Sequence, residues 1–388
     1  MAILSRPPHG HHGHSTSHHL FPDASWYFMK IFMVAGEASG DIYGGLIAKN
    51  FSDQTLTLRG WGGENMQSSG VTITKHYREL AYMGLWEVIS HLPTILKNID
   101  TCWNEIQDFK PDALVLIDFP GFNMRIAQKA RKAGIKVYQV VVPQVWAWKK
   151  GRVKNLARDY TAVFPVLPFE HDLLSTSGVP SIYHGHPIID TLEKIETNND
   201  LDGKKPILAL LPGSRKQELK KMLPLLLEVA QQLPSMRAVI AGAPGASKEL
   251  YQRAEKAGVE VQFGKTRDIL KAAQLAVITS GTATLEAALI GTSHVLVYKT
   301  SWLTYCAAKL VIKVKFIGLT NLILGREVVP ELIQTVCTVE NIKRELLSEK
   351  VKAQSKAFQE LRMFLGDKGA SEKIAQTILE LTSVDKSS

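Results

Sequence analysis

Four short stretches combine residue types that can do chemistry. In ALVLIDFPGFN, residues 113 to 123, five apolar residues run into Asp118, and Pro120 and Gly121 break the pattern behind it. A carboxylate at the end of a buried strand costs stability unless it is partnered or functional. The functional reading of Asp118 is a general base that takes a proton from an attacking hydroxyl; the plain reading is a cap that shapes the turn. Asn123 fits an N-cap or a partner orienting the base. In VAGEASGD, residues 34 to 41, Glu37, Ser39 and Asp41 follow another apolar run and present hydrogen-bonding groups suited to sugar hydroxyls, or simply cap a helix. LLPGSRKQE places Gly213, Ser214 and Arg215 where a strand should give way to a helix. Glycine allows close backbone approach, serine donates, and the planar guanidinium matches two phosphate oxygens. ITSGTATLE repeats the arrangement. Gly281, Thr282 and Ala283 leave backbone N–H groups unobstructed at a helix start, and Glu286 sits about one turn inside, where it can accept from a ribose diol.

One such turn is commonplace, but two in the same half of the chain point to a nucleoside diphosphate. The P-loop pattern GxxxxGK[ST] does not occur. At the first strand the dinucleotide fingerprint is replaced by GEASGDIYGG, whose acid between glycines would repel a pyrophosphate. NAD chemistry is therefore disfavoured. No Asp-x-Asp pair is placed to hold a divalent ion, so neither metal nor cofactor is expected.

The elements around these stretches alternate. KIFMVAGE, ALVLID, IKVYQVVVP and TAVFP read as strands, with helical patterns in DIYGGLIAKNF and NMRIAQKARKAG. After the polar stretch LEKIETNNDLDGKKP the alternation restarts with ILALLPGS, RAVIAGAP and AQLAVITS as strands between helices. This predicts an α/β protein of two Rossmann-like domains facing across a cleft, with ligands beyond the carboxyl ends of the strands. We divide the chain into a disordered His-rich leader or tag (1–28), an N-terminal domain (29–190), a C-terminal domain (191–365) and a helix packing back on them (366–388). The leader holds six of the twelve histidines and lacks a hydrophobic centre.

Composition narrows the class. At 388 residues and 45% hydrophobic content the chain can build two cores, and no apolar run reaches the roughly 18 residues a spanning helix needs. A net charge of +9 favours anionic partners. Three scattered cysteines fit a reducing compartment. Two stretches stay open: LAYMGLWEVISHLPTIL is a core helix or an apolar groove for acyl chains, and PQVWAWKKGRVK mixes Trp with Lys and Arg as a surface, membrane or phosphosugar contact. Nucleic acid is disfavoured because no recognised module or sustained basic stripe appears.

In order along the chain, VAGEASGD, LIDFPGFN, PQVWAWKKGR, LPFE, GHP, LLPGSR, SGTATLE and LTNLILGRE resemble the lipid-A-disaccharide synthase family from Met29 to the end. The resemblance implies a GT-B glycosyltransferase joining UDP-2,3-diacylglucosamine to 2,3-diacylglucosamine 1-phosphate, working at the cytoplasmic face of the inner membrane. A homodimer is a further candidate assembly. By the same resemblance Asp118 is the catalytic aspartate and Glu37, Ser39 and Asp41 are the first-loop polar residues; together with Asn123 we assign these three to the acceptor. The UDP side comprises Gly213, Ser214, Arg215, Gly281, Thr282, Ala283 and Glu286, with Asn321 and Arg326 from LTNLILGRE; the role of His186 in GHP stays open. Where some relatives carry a second acid three residues after the catalytic one, Gly121 stands here, so a shared proton is not expected. The competing classes are a UDP-sugar epimerase, which needs no second sugar, and a non-catalytic nucleotide-sugar or lipid sensor, which needs no aspartate at the cleft.

Overall fold

The structure is a computed structural model that describes residues 29–51, 56–80, 92–143, 151–194, 205–243, 246–279, 281–301 and 315–383. The leader, most of LAYMGLWEVISHLPTIL, the Trp-rich part of PQVWAWKKGRVK and the inter-domain stretch 195–204 lie outside the described residues.

Among the described residues, twelve strands form two six-stranded sheets. The first holds β1 (Met29–Ala35), β2 (Leu56–Gly62), β3 (Thr72–His76), β4 (Ala113–Ile117), β5 (Lys136–Val140) and β6 (Ala162–Phe164), in the order β3-β2-β1-β4-β5-β6. The second holds β7 (Ile207–Leu211), β8 (Arg237–Gly242), β9 (Glu260–Phe263), β10 (Ala273–Thr279), β11 (His294–Tyr298) and β12 (Glu331–Ile333), in the order β12-β11-β10-β7-β8-β9. All the pairings are parallel. Both sheets therefore share one doubly wound order, the Rossmann arrangement read from the sequence. The central strands are apolar on both faces because helices cover both sides, which is why ALVLI and ILALL are continuous runs and fully buried. In each lobe the order reverses between the first and fourth strands, β1 and β4 or β7 and β10, and a crevice opens there. The four stretches singled out above are the loops that leave those four strands.

Some element limits differ from the sequence expectation. The helix expected from Asn123 begins at Pro120, since proline at the first helical position gives up no hydrogen bond. The helix expected between the strands ILALLPGS and RAVIAGAP begins as early as Lys216 and runs to Gln231 with Pro224 inside it.

One continuous core cluster ties the lobes together. It runs from Ile31, Met33 and Val115 through Ile188 and Ile189 to Leu285 and Leu289, and on to Phe358, Leu361, Leu365 and Ile374. The helix Ala370–Ser383 is clamped at both ends, by the joining segment and by the first lobe. Asp190 accepts from the amides of Gly369 (2.7 Å) and Ser371 (2.8 Å). At the other end Lys136 donates to the carbonyl of Leu381 at 2.6 Å, and the Tyr138 and Thr382 hydroxyls meet at 3.0 Å. An acid at the start and a cation at the end both complement the helix dipole.

Candidate active site

The site is built on backbone strain at the end of β4. Asp118 and Phe119 are consecutive residues at φ 49° and 53°, and the neighbouring strand β5 is followed by Val141 at φ 58°. Left-handed conformations of non-glycine residues cost of order 1–3 kcal/mol each and persist only when their surroundings enforce them. Here the enforcement is visible. The fully buried Gln139 sends its Nε2 toward the carbonyls of Asp118 (3.3 Å), Val140 (3.2 Å) and Val141 (3.0 Å), and Asn123 Nδ2 also donates to the Asp118 carbonyl. The Phe119 ring occupies the space above Gly36, where a Cβ would lie 2.3 Å from it. The loops after β1 and β4 thus fix each other.

Between the lobes lies a cavity of about 520 Å³. Ser39, Tyr43, Asp118 and Arg152 line it from the first lobe, Thr282 and Leu319 from the second, and His186 from the segment that joins them. Burial raises the pKa of the Asp118 carboxyl, and a hydrogen bond from the Phe119 amide pulls the other way. The Glu37 carboxyl is raised as well, by burial and then by the charge of Asp118, with Arg215 opposing. Two acids held above their usual range in one crevice suit proton transfer.

Arg215 reaches across the crevice. One guanidinium nitrogen lies 3.2 Å from Glu218 Oε1 and the other 4.0 Å from Glu37 Oε2, the latter a contact between lobes. Gly213 adopts φ 102°, and a Cβ there would meet Glu218 Oε2 at 2.5 Å, so glycine is required on both counts. The amides of Ser214 and Arg215 donate to that same Glu218 oxygen, at 3.2 and 3.3 Å. The anion these amides hold is therefore the chain's own carboxylate, and Arg215 carries the guanidinium fork of this wall. On the adjacent loop, Gly281 caps the helix Thr282–Ile290 and Thr284 Oγ1 returns to the Gly281 carbonyl at 2.8 Å, with Ala283 half-buried between them. Glu286 pairs with Arg267 at 2.7 Å, and Arg267 also donates to the carbonyl of Thr191 at 3.0 Å. This ties the second lobe to the joining segment.

Three expected ligand contacts turn out to be braces. Asp41 is fully buried, and its two oxygens accept from the amides of Gly63 (2.6 Å), Asn65 (3.0 Å) and Met66 (3.1 Å) and from the Asn65 side chain (2.8 Å). It caps the helix Glu64–Ser68 and has no capacity left for an acceptor sugar. Asn321 accepts from the amides of Val328 (2.8 Å) and Val329 (2.9 Å) and donates to the Val329 carbonyl (2.7 Å) and to Glu331 Oε1 (2.8 Å). All its capacity goes to joining the helix Leu319–Leu324 to β12. Asn123, fully buried, donates Nδ2 to the Asp118 carbonyl, the orienting role, while its buried Oδ1 finds no partner among the described residues. Arg326 is exposed and pairs with Glu360 at 2.9 Å, a surface bridge outside the cavity wall. The sequence reading passed over Tyr43 and Arg267. Tyr43 sits inside a helix of apolar spacing and Arg267 in an ordinary helix start, so neither had a local signal. Among the described residues no group of three or more His, Cys, Asp or Glu could hold a metal ion.

The arrangement can hold an anion on one wall and deprotonate an alcohol on the other. Comparisons with known proteins bear on which molecules these are. The described fold is similar to a UDP-GlcNAc 2-epimerase from Neisseria meningitidis solved with UDP-GlcNAc (TM-score 0.60, 13% identity, 91% of this chain and 99% of that one). It is also similar to a putative UDP-N-acetylglucosamine 2-epimerase from Listeria monocytogenes (TM-score 0.61, 12% identity, 93% and 97%). At that identity the likeness concerns the fold, which is of GT-B type. Sequence discriminates further. Lipid-A-disaccharide synthases from Myxococcus xanthus and Trichlorobacter lovleyi are 36% and 38% identical over 372 and 376 residues, covering 91% of this chain and 97% of each relative. The family model for lipid-A-disaccharide synthetase matches residues 31–379. With the ordered motifs, both crevice loops and this coverage in agreement, the chain belongs to the lipid-A-disaccharide synthase family.

Proposed function

We propose that the chain is an inverting glycosyltransferase that joins UDP-2,3-diacylglucosamine to 2,3-diacylglucosamine 1-phosphate, releasing UDP and the β-1,6-linked disaccharide 1-phosphate. The observation that carries the reading is one interlobe cavity lined both by the strained Asp118 and by Thr282 at a helix N-terminus. Asp118 takes the proton of the acceptor's 6-hydroxyl while that oxygen attacks the anomeric carbon. The bond from that carbon to the β-phosphate oxygen breaks on the opposite face, and its electron pair leaves with UDP. Arg215 and the N-terminal amides of the helix Thr282–Ile290 stabilise the charge gathering there; each such donor is worth about 2.7 to 4 kcal/mol in a dry site. Glu37 orients Arg215 across the crevice until the diphosphate takes its place, and Ser39 holds an acceptor hydroxyl. Glu286, fixed by Arg267, faces the ribose with its remaining oxygen.

In this reading residues 29–190 bind the acceptor, 191–365 bind the sugar nucleotide, and 366–388 latch the two. Both substrates carry acyl chains, so the protein works at the cytoplasmic surface of the inner membrane; among the described residues no helix is long and apolar enough to cross one. Mass spectrometry of products from UDP-diacylglucosamine, incubated with and without the monosaccharide phosphate, tests the reading. Disaccharide phosphate should form only when both are present. Conversion of the donor alone into an epimer would refute it and favour the epimerase alternative.

A further inference from the structure

His186 lines the cavity that holds Asp118 and Thr282, yet the mechanism above gives it no work. Its residue is 2% exposed, and its ring is locked on two sides. Nδ1 accepts the amide N–H of Ile188 at 3.1 Å, and the ring of Tyr43 meets it edge-on with centroids 5.8 Å apart. Its backbone is equally constrained. The His186 amide donates to the carbonyl of Leu365 at 3.2 Å, Gly185 before it adopts φ 100°, and Pro187 follows. Because Nδ1 is occupied as an acceptor, the ring proton resides on Nε2, which becomes a donor with a fixed direction. Burial pushes the pKa down to about 3, so the ring is neutral throughout the working range and cannot act as a cation. With Nε2 already protonated, it cannot act as a base either. What remains is a preorganised, uncharged N–H in a crevice where negative charge develops.

We propose that His186 donates its Nε2–H to the diphosphate oxygen that leaves the donor sugar, completing an oxyanion cradle with the N-terminal amides of the helix Thr282–Ile290. The assignment rests on the glycosyl-transfer reading. A donor is of no use to Asp118, which must receive a proton; the group in the crevice that gains charge during reaction is the leaving phosphate. The ring also belongs to the segment joining the lobes, so a ligand that meets both His186 and Thr282 bridges the joint and the second lobe at once. No proton is transferred, and the contact tightens as the sugar–oxygen bond lengthens.

The test compares wild-type protein with His186→Ala and His186→Gln, reading kcat, the KM for the sugar nucleotide, inhibition by UDP and the melting temperature. Glutamine carries an amide N–H at about the reach of Nε2. In the alanine variant kcat should fall about 10²-fold, the order seen on removal of one such donor. UDP, which bears the full charge on the freed oxygen, should inhibit about tenfold more weakly, while the donor KM moves less than threefold. The glutamine variant should regain most of the lost kcat. If alanine prevents folding, the glutamine variant and a His186→Leu variant carry the same comparison. A kcat within threefold of wild type in the variant without an N–H would overturn the role. So would a glutamine variant as slow as alanine at an unchanged melting temperature, or equal losses in KM and UDP inhibition. Failure of the wild-type protein to form disaccharide phosphate would instead overturn the reaction itself, and the His186 role with it.

Discussion

At the scale of single residues, the consequential feature is a carboxyl held where it is unstable. Asp118 combines a left-handed backbone with a pKa raised by burial. A raised carboxyl pKa means that the folded protein binds this proton more tightly than the unfolded chain does. Its favourable contribution to stability is fully present below the ordinary carboxylate range, about pH 4, and is lost as pH rises through the raised value. Once ionised, therefore, the Asp118 carboxylate weighs against folding. An asparagine side chain in its place would keep the shape, and asparagine tolerates the left-handed region better than most residues. Asp118→Asn should melt above wild type at pH 7.5, with the gap closing as the pH is lowered toward 4, as read by calorimetric scans. A variant that melts lower at neutral pH would show the carboxylate to be a stabilising cap. Activity carries the opposite sign: kcat/KM should fall with acid at a pH above the ordinary carboxylate range, because only the ionised form accepts a proton.

At the scale of elements, the two loops at each reversal of strand order flank the interlobe crevice. This much was legible in the sequence, because a strand, a small-residue turn and a helix start leave a local pattern. Gly213 and the SGTATLE turn sit where their types suggested. What the sequence hid was the direction in which polar side chains point. Asp41 and Asn321 stand in the same motifs as the cavity-lining residues, yet both are consumed, mostly by backbone groups, 7 to 25 positions away. Nothing local distinguishes a brace from a ligand contact. Likewise β2, β3, β9, β11 and β12 drew no strand assignment. β2 is interrupted by Arg59 and Gly60, and β9 is only half-buried, so polar positions blur its period. The coupling of the loops after β1 and β4 makes a specific demand on Gly36. Gly36→Ala would drive a methyl into the Phe119 ring, which should destabilise the protein by about 1–3 kcal/mol, as overpacking does. It should also cut turnover more than UDP affinity, since the displaced loop carries Asp118 and not Arg215. Denaturant unfolding together with kinetics would check both.

At the scale of the molecule, the lobes are joined by more than a linker. Arg267 links Glu286 to the Thr191 carbonyl, Glu37 meets Arg215 across the mouth, and the helix Ala370–Ser383 returns from the second lobe to pack on the first. Asp190 caps that helix from the joining segment, so Asp190→Ala should cost about 0.5–2 kcal/mol, the usual loss for an N-terminal cap. Hydrogen exchange should then report earlier opening at 370–383 than elsewhere; uniform opening of both lobes would show that the helix is not a separate latch.

The central claim divides labour between two walls, an anion grip on the second lobe and a base on the first. Isothermal titration of UDP, paired with turnover, on Arg215→Ala and Asp118→Asn tests that division directly. Arg215→Ala should lose about 1.5–3 kcal/mol of UDP affinity, the usual worth of a hydrogen bond to a charged group. Asp118→Asn should bind UDP like wild type and turn over about 10²- to 10⁴-fold more slowly. Unchanged UDP affinity in the arginine variant, or wild-type turnover in the asparagine variant, would contradict the account.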